Sequence, residues 1–259
     1  MLAHVYKGQQ LPIPFYVQPK LNGLRALYQN GQFWSRDEIQ WQPAVVHHIV
    51  SELAQVVAPN WILDGEFYTH GQSLQQINSA IAVKRLFPTQ QTLSISFNVF
   101  DAVSERPFHI RYPEVIQSLR DLKHTKLVPT HVCTTLDEAT DLFNKYKNQK
   151  FEGIMYRLDP HGYTEAKRVS HLLKRKAWLD EEFEIIGFEE GEGKCNGLLG
   201  ALVCRTPSGK SFRVGTGFDD ITRKLFILDP PIGLLAKVQF IGYSDSGIPT
   251  NTSFQGLVE

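Results

Sequence analysis

Gln18-Pro19-Lys20-Leu21-Asn22-Gly23-Leu24-Arg25 is the stretch on which the reading of this 259-residue chain turns. The extended run Phe15-Tyr16-Val17 leads into it and Asn22-Gly23 supplies a turn, so a strand is predicted to end at a lysine and reverse. That leaves the Lys20 amine facing open space. Taken alone, a lysine before a turn is also what an inert surface position looks like. The rest of the chain decides between the two.

Residues 24–36 alternate apolar and polar about Asn30-Gly31, a pair that accepts the positive φ of a tight hairpin turn. The lysine turn therefore feeds a twisted antiparallel ribbon. Pro43 at the head of residues 44–54 predicts a helix with proline in its first turn. Apolar spacing then predicts strands over 61–68 and 93–100, helices over 74–82, 113–122 and 136–147, and a strand over 126–133. After Asp180 the texture changes to short β segments at 183–188, 198–205, 211–214 and 235–243, with a helix at 221–228 that Asp219 or Asp220 can cap. Several short strands and one helix in such a span suit a small OB-like barrel. The expected fold class is α+β, with a large domain over 1–178 and a barrel domain over 179–259.

Charge supports that boundary. Lys167-Arg168 and Lys174-Arg175-Lys176 are followed at once by Asp180-Glu181-Glu182. Over the whole chain 27 basic residues balance 27 acidic ones, so net charge neither demands nor excludes a polyanionic partner. No apolar run approaches the length that crosses a bilayer, and Met1 to Lys7 lacks a leader pattern, so the expected setting is intracellular. Cys133, Cys195 and Cys204 form no Cys-x-x-Cys pair and read as reduced structural thiols. His47-His48 reads as two partly exposed helix residues, not a zinc site.

Leu63-Asp64-Gly65-Glu66-Phe67 sets two carboxylates in an apolar strand, and alternation aims Glu66 into a polar cleft if its neighbours face the core. Phe100 closes the strand Phe97-Asn98-Val99-Phe100-Asp101 and suits either a core or a ring stacked on a flat base. Glu152 precedes Gly153, and hard cations such as magnesium choose carboxylate oxygen. Lys174 and Lys176 share one face of a strand, which is unattractive unless an anion lies between them; such cations would also lower the pKa of an attacking lysine.

The ordered series Lys20-Leu21-Asn22-Gly23, Ser35-Arg36, Asp64-Gly65-Glu66, Phe97-Asn98-Val99-Phe100-Asp101, Glu152-Gly153-Ile154-Met155 and Leu173-Lys174-Arg175-Lys176 resembles that of the covalent nucleotidyltransferases. Within them it is most similar to the small ATP-dependent DNA ligases of viruses, phages and bacteria. Leu199-Gly200-Ala201-Leu202-Val203 and Phe212-Arg213-Val214-Gly215-Thr216-Gly217-Phe218 resemble stretches of those ligases' OB domain. The likeness thus covers almost the whole chain.

The resemblance implies an adenylation domain followed by an OB domain. It implies that Lys20 attacks the α-phosphate of ATP to form a lysyl-AMP, and that the AMP passes to the 5′-phosphate of nicked double-stranded DNA before the 3′-hydroxyl displaces it. By the same resemblance Gln18 would belong to the cofactor site, Phe100 would stack on the base, Glu66 would hold the ribose, and Arg25 and Arg36 would grip phosphates. Glu152, with Glu66, would hold magnesium or manganese, and Lys174 and Lys176 would neutralise the α-phosphate. A monomer is the default state.

Two departures stand out. Asn22 replaces the family's usual aspartate, keeping the turn and losing a charge. Residues 249–259 keep Pro249, Phe254 and Gly256 of a C-terminal motif that is otherwise basic in small ligases, but contain no Arg or Lys. Either slow loading with ATP relative to sealing, or reliance on another basic residue, is therefore expected. With about twenty residues ahead of the lysine motif, no separate N-terminal DNA-binding domain is expected. Competing readings are an RNA ligase, a capping guanylyltransferase, or a nucleic-acid-binding module that has lost turnover; an NAD-dependent ligase would need four zinc-binding cysteines.

Overall fold

A computed structural model describes residues 1–119, 121–158 and 162–258. The chain divides into two units, Met1–Ala177 and Trp178–Glu259. In chain order the first contains β1 (Leu2–Val5), β2 (Phe15–Lys20), β3 (Leu24–Gln29), β4 (Gln32–Ser35), α1 (Pro43–Val56), β5 (Leu63–Tyr68) and α2 (Leu74–Ile81). It continues with β6 (Ser96–Ala102), α3 (Phe108–Ser118), β7 (Thr125–Leu127), β8 (His131–Cys133), α4 (Leu136–Asn148), β9 (Gly153–Leu158) and β10 (Arg168–Lys176).

These strands make two five-stranded sheets, ordered β1-β10-β9-β2-β8 and β4-β3-β5-β6-β7. Pairing is antiparallel except for β1 with β10 and β6 with β7. The turn after Lys20 is where the chain crosses from the first sheet to the second. Strict alternation gives each sheet one helix-covered face and one open face. In the first sheet Phe15, Val17, Ile154, Tyr156 and Leu173 pack with Ala139 and Tyr146 of α4. In the second, Phe33, Phe67, Phe97 and Val99 pack with Val45, Ile49 and Leu53 of α1 and Ile77 and Ile81 of α2. The residues between them in sequence, Gln18 and Lys20, Asp64 and Glu66, Phe100, Met155 and Arg157, point the other way and line a cleft.

Local chemistry explains the borders. Asn30 (φ 51°) and Gly31 (φ 73°) both take positive φ, as a two-residue hairpin turn demands. Pro43 opens α1, and Ser73 with Gln76 and Thr135 with Glu138 form capping boxes on α2 and α4. Three expectations need correction. The strand expected at 93–100 begins at Ser96, because Thr92–Ser94 forms a 3-10 turn. The helix expected at 113–122 starts at Phe108, with Pro113 inside it. Its buried face, Phe108, Arg111, Tyr112 and Val115, has helical spacing that outweighs the proline's lost hydrogen bond. The single strand expected at 126–133 is two: β7 pairs with β6 in one sheet and β8 with β2 in the other, with the crossover at Val128-Pro129-Thr130.

The second unit contains β11 (Leu179–Glu190), β12 (Leu199–Arg205), β13 (Ser211–Val214), α5 (Asp220–Leu228), β14 (Leu235–Phe240), β15 (Gly242–Tyr243), β16 (Pro249–Thr250) and β17 (Ser253–Leu257). Asp219 caps α5 by accepting from Thr222 N at 2.7 Å. The sheet order is β13-β12-β11-β14-β17 around a core of Phe183, Ile185, Leu202, Phe212, Val238 and Phe240. Its two edges meet: Phe254 N donates to Thr216 O at 2.8 Å and Thr252 Oγ1 to Arg213 O at 2.9 Å. Gly217 (φ 92°) lies so close to β17 that a Cβ there would overlap the Phe254 carbonyl, which accounts for a glycine in the Gly215-Thr216-Gly217-Phe218 segment. The expected strand 235–243 is broken into β14 and β15. The stretch read as a C-terminal motif is barrel wall: Phe254 is buried and stacked on Phe218 with ring centroids 4.7 Å apart.

Candidate active site

The cleft encloses about 200 Å³ and takes residues from β1, β2, β9 and β10 of one sheet and β3, β5 and β6 of the other. Of the residues singled out from the sequence, Gln18, Lys20, Arg25, Glu66, Phe100 and Lys174 line it. Pairing across the first sheet brings the remaining pieces to Lys20. Lys20 and Lys176 both stand opposite Gly153, on either side of β9, while Gln18 and Lys174 both stand opposite Met155.

Glu152, just ahead of Gly153, joins the two lysines. Its Oε2 accepts from Lys20 Nζ, and its Oε1 lies 3.1 Å from Lys176 Nζ. Gly153 (φ 147°) leaves no room for a side chain, because the Arg175 backbone crosses directly above it. The glycine thus serves strand packing, which in turn fixes the carboxylate between the amines. Lys174 is held below the usual lysine pKa by burial, then by Lys176 and Lys20. On the opposite wall Glu66 accepts from the Gly23 amide, so the turn after Lys20 is tied to β5. Burial pushes the Glu66 carboxyl above its ordinary value, against the Lys20 charge and the Gly23 bond.

Two arginines depart from expectation. Arg25 lines the cleft, yet its guanidinium is engaged: Nε and Nη2 grip Asp64 at 3.0 and 2.9 Å, Nη1 reaches Met1 O at 2.9 Å, and Nη2 also reaches Tyr163 OH at 3.0 Å. Burial opposes that charge, but Asp64 outweighs it and raises the Arg25 pKa. Arg36 does not reach the cleft; it is exposed beside Asp37 and lines a neighbouring groove with Trp34 and Tyr163. Glu66 lines the cleft from β5 while Glu152 precedes β9 in the other sheet, and among the described residues no group of three or more His, Cys, Asp or Glu is placed to hold a metal ion.

The sequence reading missed Asp64 as Arg25's partner, the edge strand β1, and a set in which buried Asp101 and Arg111 back Arg157 of the cleft lining, with half-buried Thr130 beside Gln18. A signal was present for part of it. Asp101 and Arg157 each interrupt an apolar strand, and a charge so placed must find a partner.

A family model for the ATP dependent DNA ligase domain matches residues 1–176, and one for a DNA ligase OB-like domain matches residues 190–257. The chain therefore belongs to the ATP-dependent DNA ligases, enzymes that work through a covalent AMP intermediate. The DNA ligase of Haemophilus influenzae is 26% identical over 96% of this chain and 88% of its own length. That of African swine fever virus is 29% identical over 76% of this chain, which spans 50% of the viral protein. Among solved structures, a Lig E DNA ligase studied for DNA binding with a minimal scaffold superposes with a TM-score of 0.84 at 24% identity, over 99% of this chain and 98% of its own. Chlorella virus DNA ligase-adenylate superposes with a TM-score of 0.55 at 20% identity, over 100% and 97%. Those two structures bear on the fold alone. The competing reading as an RNA ligase is not favoured, since both family matches are to DNA ligase domains.

Proposed function

We propose that Lys20 is the residue that carries AMP. The observation behind this is the lysine's place at the junction of the two sheets, hydrogen-bonded to Glu152 and facing a cleft with cations on one wall and Glu66 and Phe100 on the other. In the first step the Lys20 amine attacks the α-phosphate of ATP. A P–N bond forms, the P–O bond to pyrophosphate breaks, and the proton that the amine must lose first has Glu152 Oε2 beside it. Lys174 and Lys176 neutralise charge building on the phosphate, as phosphoryl transfer requires. Phe100 stacks on the base and Glu66 holds the ribose.

AMP then passes to the 5′-phosphate at a nick in duplex DNA, and the adjacent 3′-hydroxyl displaces it to close the strand. A magnesium or manganese ion suits this donor set, since such ions take one or two carboxylates and complete their shell with phosphate and water. Glu152 would hold it, and it would supply further neutralisation of phosphate charge. Arg25 contributes by fixing Asp64 and the cleft wall, not by gripping phosphate. The protein acts as a monomer, and its unpaired thiols, Cys133, Cys195 and Cys204, suit a reducing intracellular setting. No helix among the described residues is long and apolar enough to cross a membrane.

Incubation with α-labelled ATP and magnesium, followed by a denaturing gel, tests the assignment. Wild type keeps covalent label and seals a nicked duplex; Lys20→Arg, charged but unable to attack at neutral pH, does neither. Label retained on Lys20→Arg would place the nucleophile elsewhere.

A further inference from the structure

Each sheet of the first unit has its own hydrophobic core, and among the described residues Phe151 alone packs against both. The way α4 ends puts it there. Lys150 takes a positive φ of 65° just past the helix, its amide donates to Lys147 O at 3.0 Å, and the Phe151 amide reaches back to Tyr146 O at 3.0 Å. A left-handed close of this kind brings the next apolar residue onto the helix's last turn. Phe151 accordingly meets the Tyr146 ring edge-on, with centroids 5.3 Å apart. Its other ring contacts belong to the second sheet. The exposed His70 ring lies 4.5 Å away at 34° and that of Tyr68, the last residue of β5, 6.3 Å away. The Tyr68 hydroxyl and His70 Nδ1 stand 2.7 Å apart and brace this side of the contact.

Each side of the contact also carries a carboxylate of the site. Glu152 follows Phe151 directly, and its backbone is fastened twice: its amide donates to Lys20 O at 3.1 Å, and its carbonyl accepts from Ala177 N at 2.8 Å. Glu66 precedes Tyr68 by two residues and so shares its face of β5. The turn after Lys20 joins the sheets through the backbone; Phe151 joins them through packing. Phe151, Tyr68 and His70 do not line the cleft, so the ring acts on the site only through what it holds.

We propose that Phe151, gripped between Tyr146 and His70, is a positioning residue for the loading step. It fixes the first sheet, which brings Lys20 and Glu152, against the second, which brings Glu66. In that step the Nζ–P bond forms as the P–O bond to pyrophosphate breaks, and the Nζ proton passes to Glu152 Oε2. Such a reaction tolerates little misplacement: about 1 Å costs on the order of 100-fold. The inference rests on Lys20 being the residue that carries AMP.

The test follows single-turnover labelling of full-length protein by α-labelled ATP with magnesium, over a range of ATP concentrations. Rate constant, final amplitude and half-saturating ATP concentration are read separately. No label on wild type would overturn the assignment of Lys20 itself. Given label on wild type, Phe151→Leu keeps apolar bulk and withdraws the flat ring. Its rate constant at saturating ATP is expected to fall by about tenfold, within the range of a sub-ångström shift, with the half-saturating concentration changed less than about twofold. His70→Ala, at an exposed position, is expected to lower the rate constant about fivefold, the worth of one ring contact, and His70→Phe to restore most of that loss. Thermal unfolding checks each fold; should Phe151→Leu not fold, the His70 pair decides alone. Reduced amplitude with an unchanged rate constant would mean a smaller folded fraction and a purely structural ring, and would overturn the proposal. So would a rise in half-saturating ATP that matches the fall in rate, since the ring would then act on nucleotide binding.

Discussion

Glu152 sets one carboxylate between two ammonium groups, and Lys174 adds a third positive charge whose burial already disfavours it. Replacing Glu152 by Gln keeps the shape and removes the compensating charge and the proton acceptor. Self-adenylylation is expected to fall by about 100-fold or more, the usual worth of a positioned base, while the thermal midpoint moves little. Single-turnover labelling beside a melting curve separates the two effects. Arg25 should behave in the opposite way. Its donors hold Asp64, Met1 and Tyr163, so Arg25→Lys, which loses the planar fork, is expected to cost about 2 kcal/mol of stability in urea unfolding. At this scale the sequence was legible wherever a residue's neighbours in the chain determine its face: Glu66 and Lys174 needed only alternation, and Lys20 only the Asn22-Gly23 turn that follows it. It was not legible for Arg25, because Asp64 becomes its partner through strand pairing across β3 and β5, which no local pattern encodes.

The helices were readable where a start signal and the period agree, as with Pro43 at the head of α1 and the Thr135-Glu138 capping box of α4. They were misread where two signals conflict, as at Pro113, or where a short extended run changes sheets, as at Pro129. One element carries a pH dependence. His48 on α1 touches Ile95 O through Nε2 at 3.4 Å and meets the His124 ring edge-on at 4.9 Å, with Glu52 accepting from the His124 amide. Burial holds the His48 pKa below its ordinary value; the Ile95 carbonyl and Glu52 oppose this, and His124 and His47 add to it. A histidine favoured in its neutral form contributes stability above its unfolded pKa of about 6.5, and that stability is lost as pH falls through the lower folded value. Thermal midpoints followed from pH 7.5 down to about 5.5 should therefore drop more steeply for wild type than for His48→Gln. Parallel curves would show that His48 does not set the slope.

A net charge of zero conceals a division. Residues 1–177 carry twenty basic against fifteen acidic side chains, and residues 178–259 carry seven against twelve, an excess of five positive charges in one unit and five negative in the other. A duplex approaching this molecule is drawn by the unit that holds the lysine and opposed by the barrel unit. Much of the opposing charge is on β11, where Asp180, Glu181, Glu182 and Glu184 are exposed in succession around Phe183. Glu181→Gln with Glu182→Gln removes two of those charges, and the new amide oxygen at position 181 can still accept from Tyr243 OH as the Glu181 carboxylate does. Because the effect is one of approach, it should appear in the association rate for a nicked duplex, as a gain of about two- to threefold at low salt. Stopped-flow mixing with a fluorescent duplex measures it. The gain should vanish in about 1 M salt, where the screening length shrinks to roughly 3 Å. A gain that survives high salt would instead point to a direct contact between β11 and the duplex, and no gain at low salt would show that the barrel's charge faces away from the path of approach.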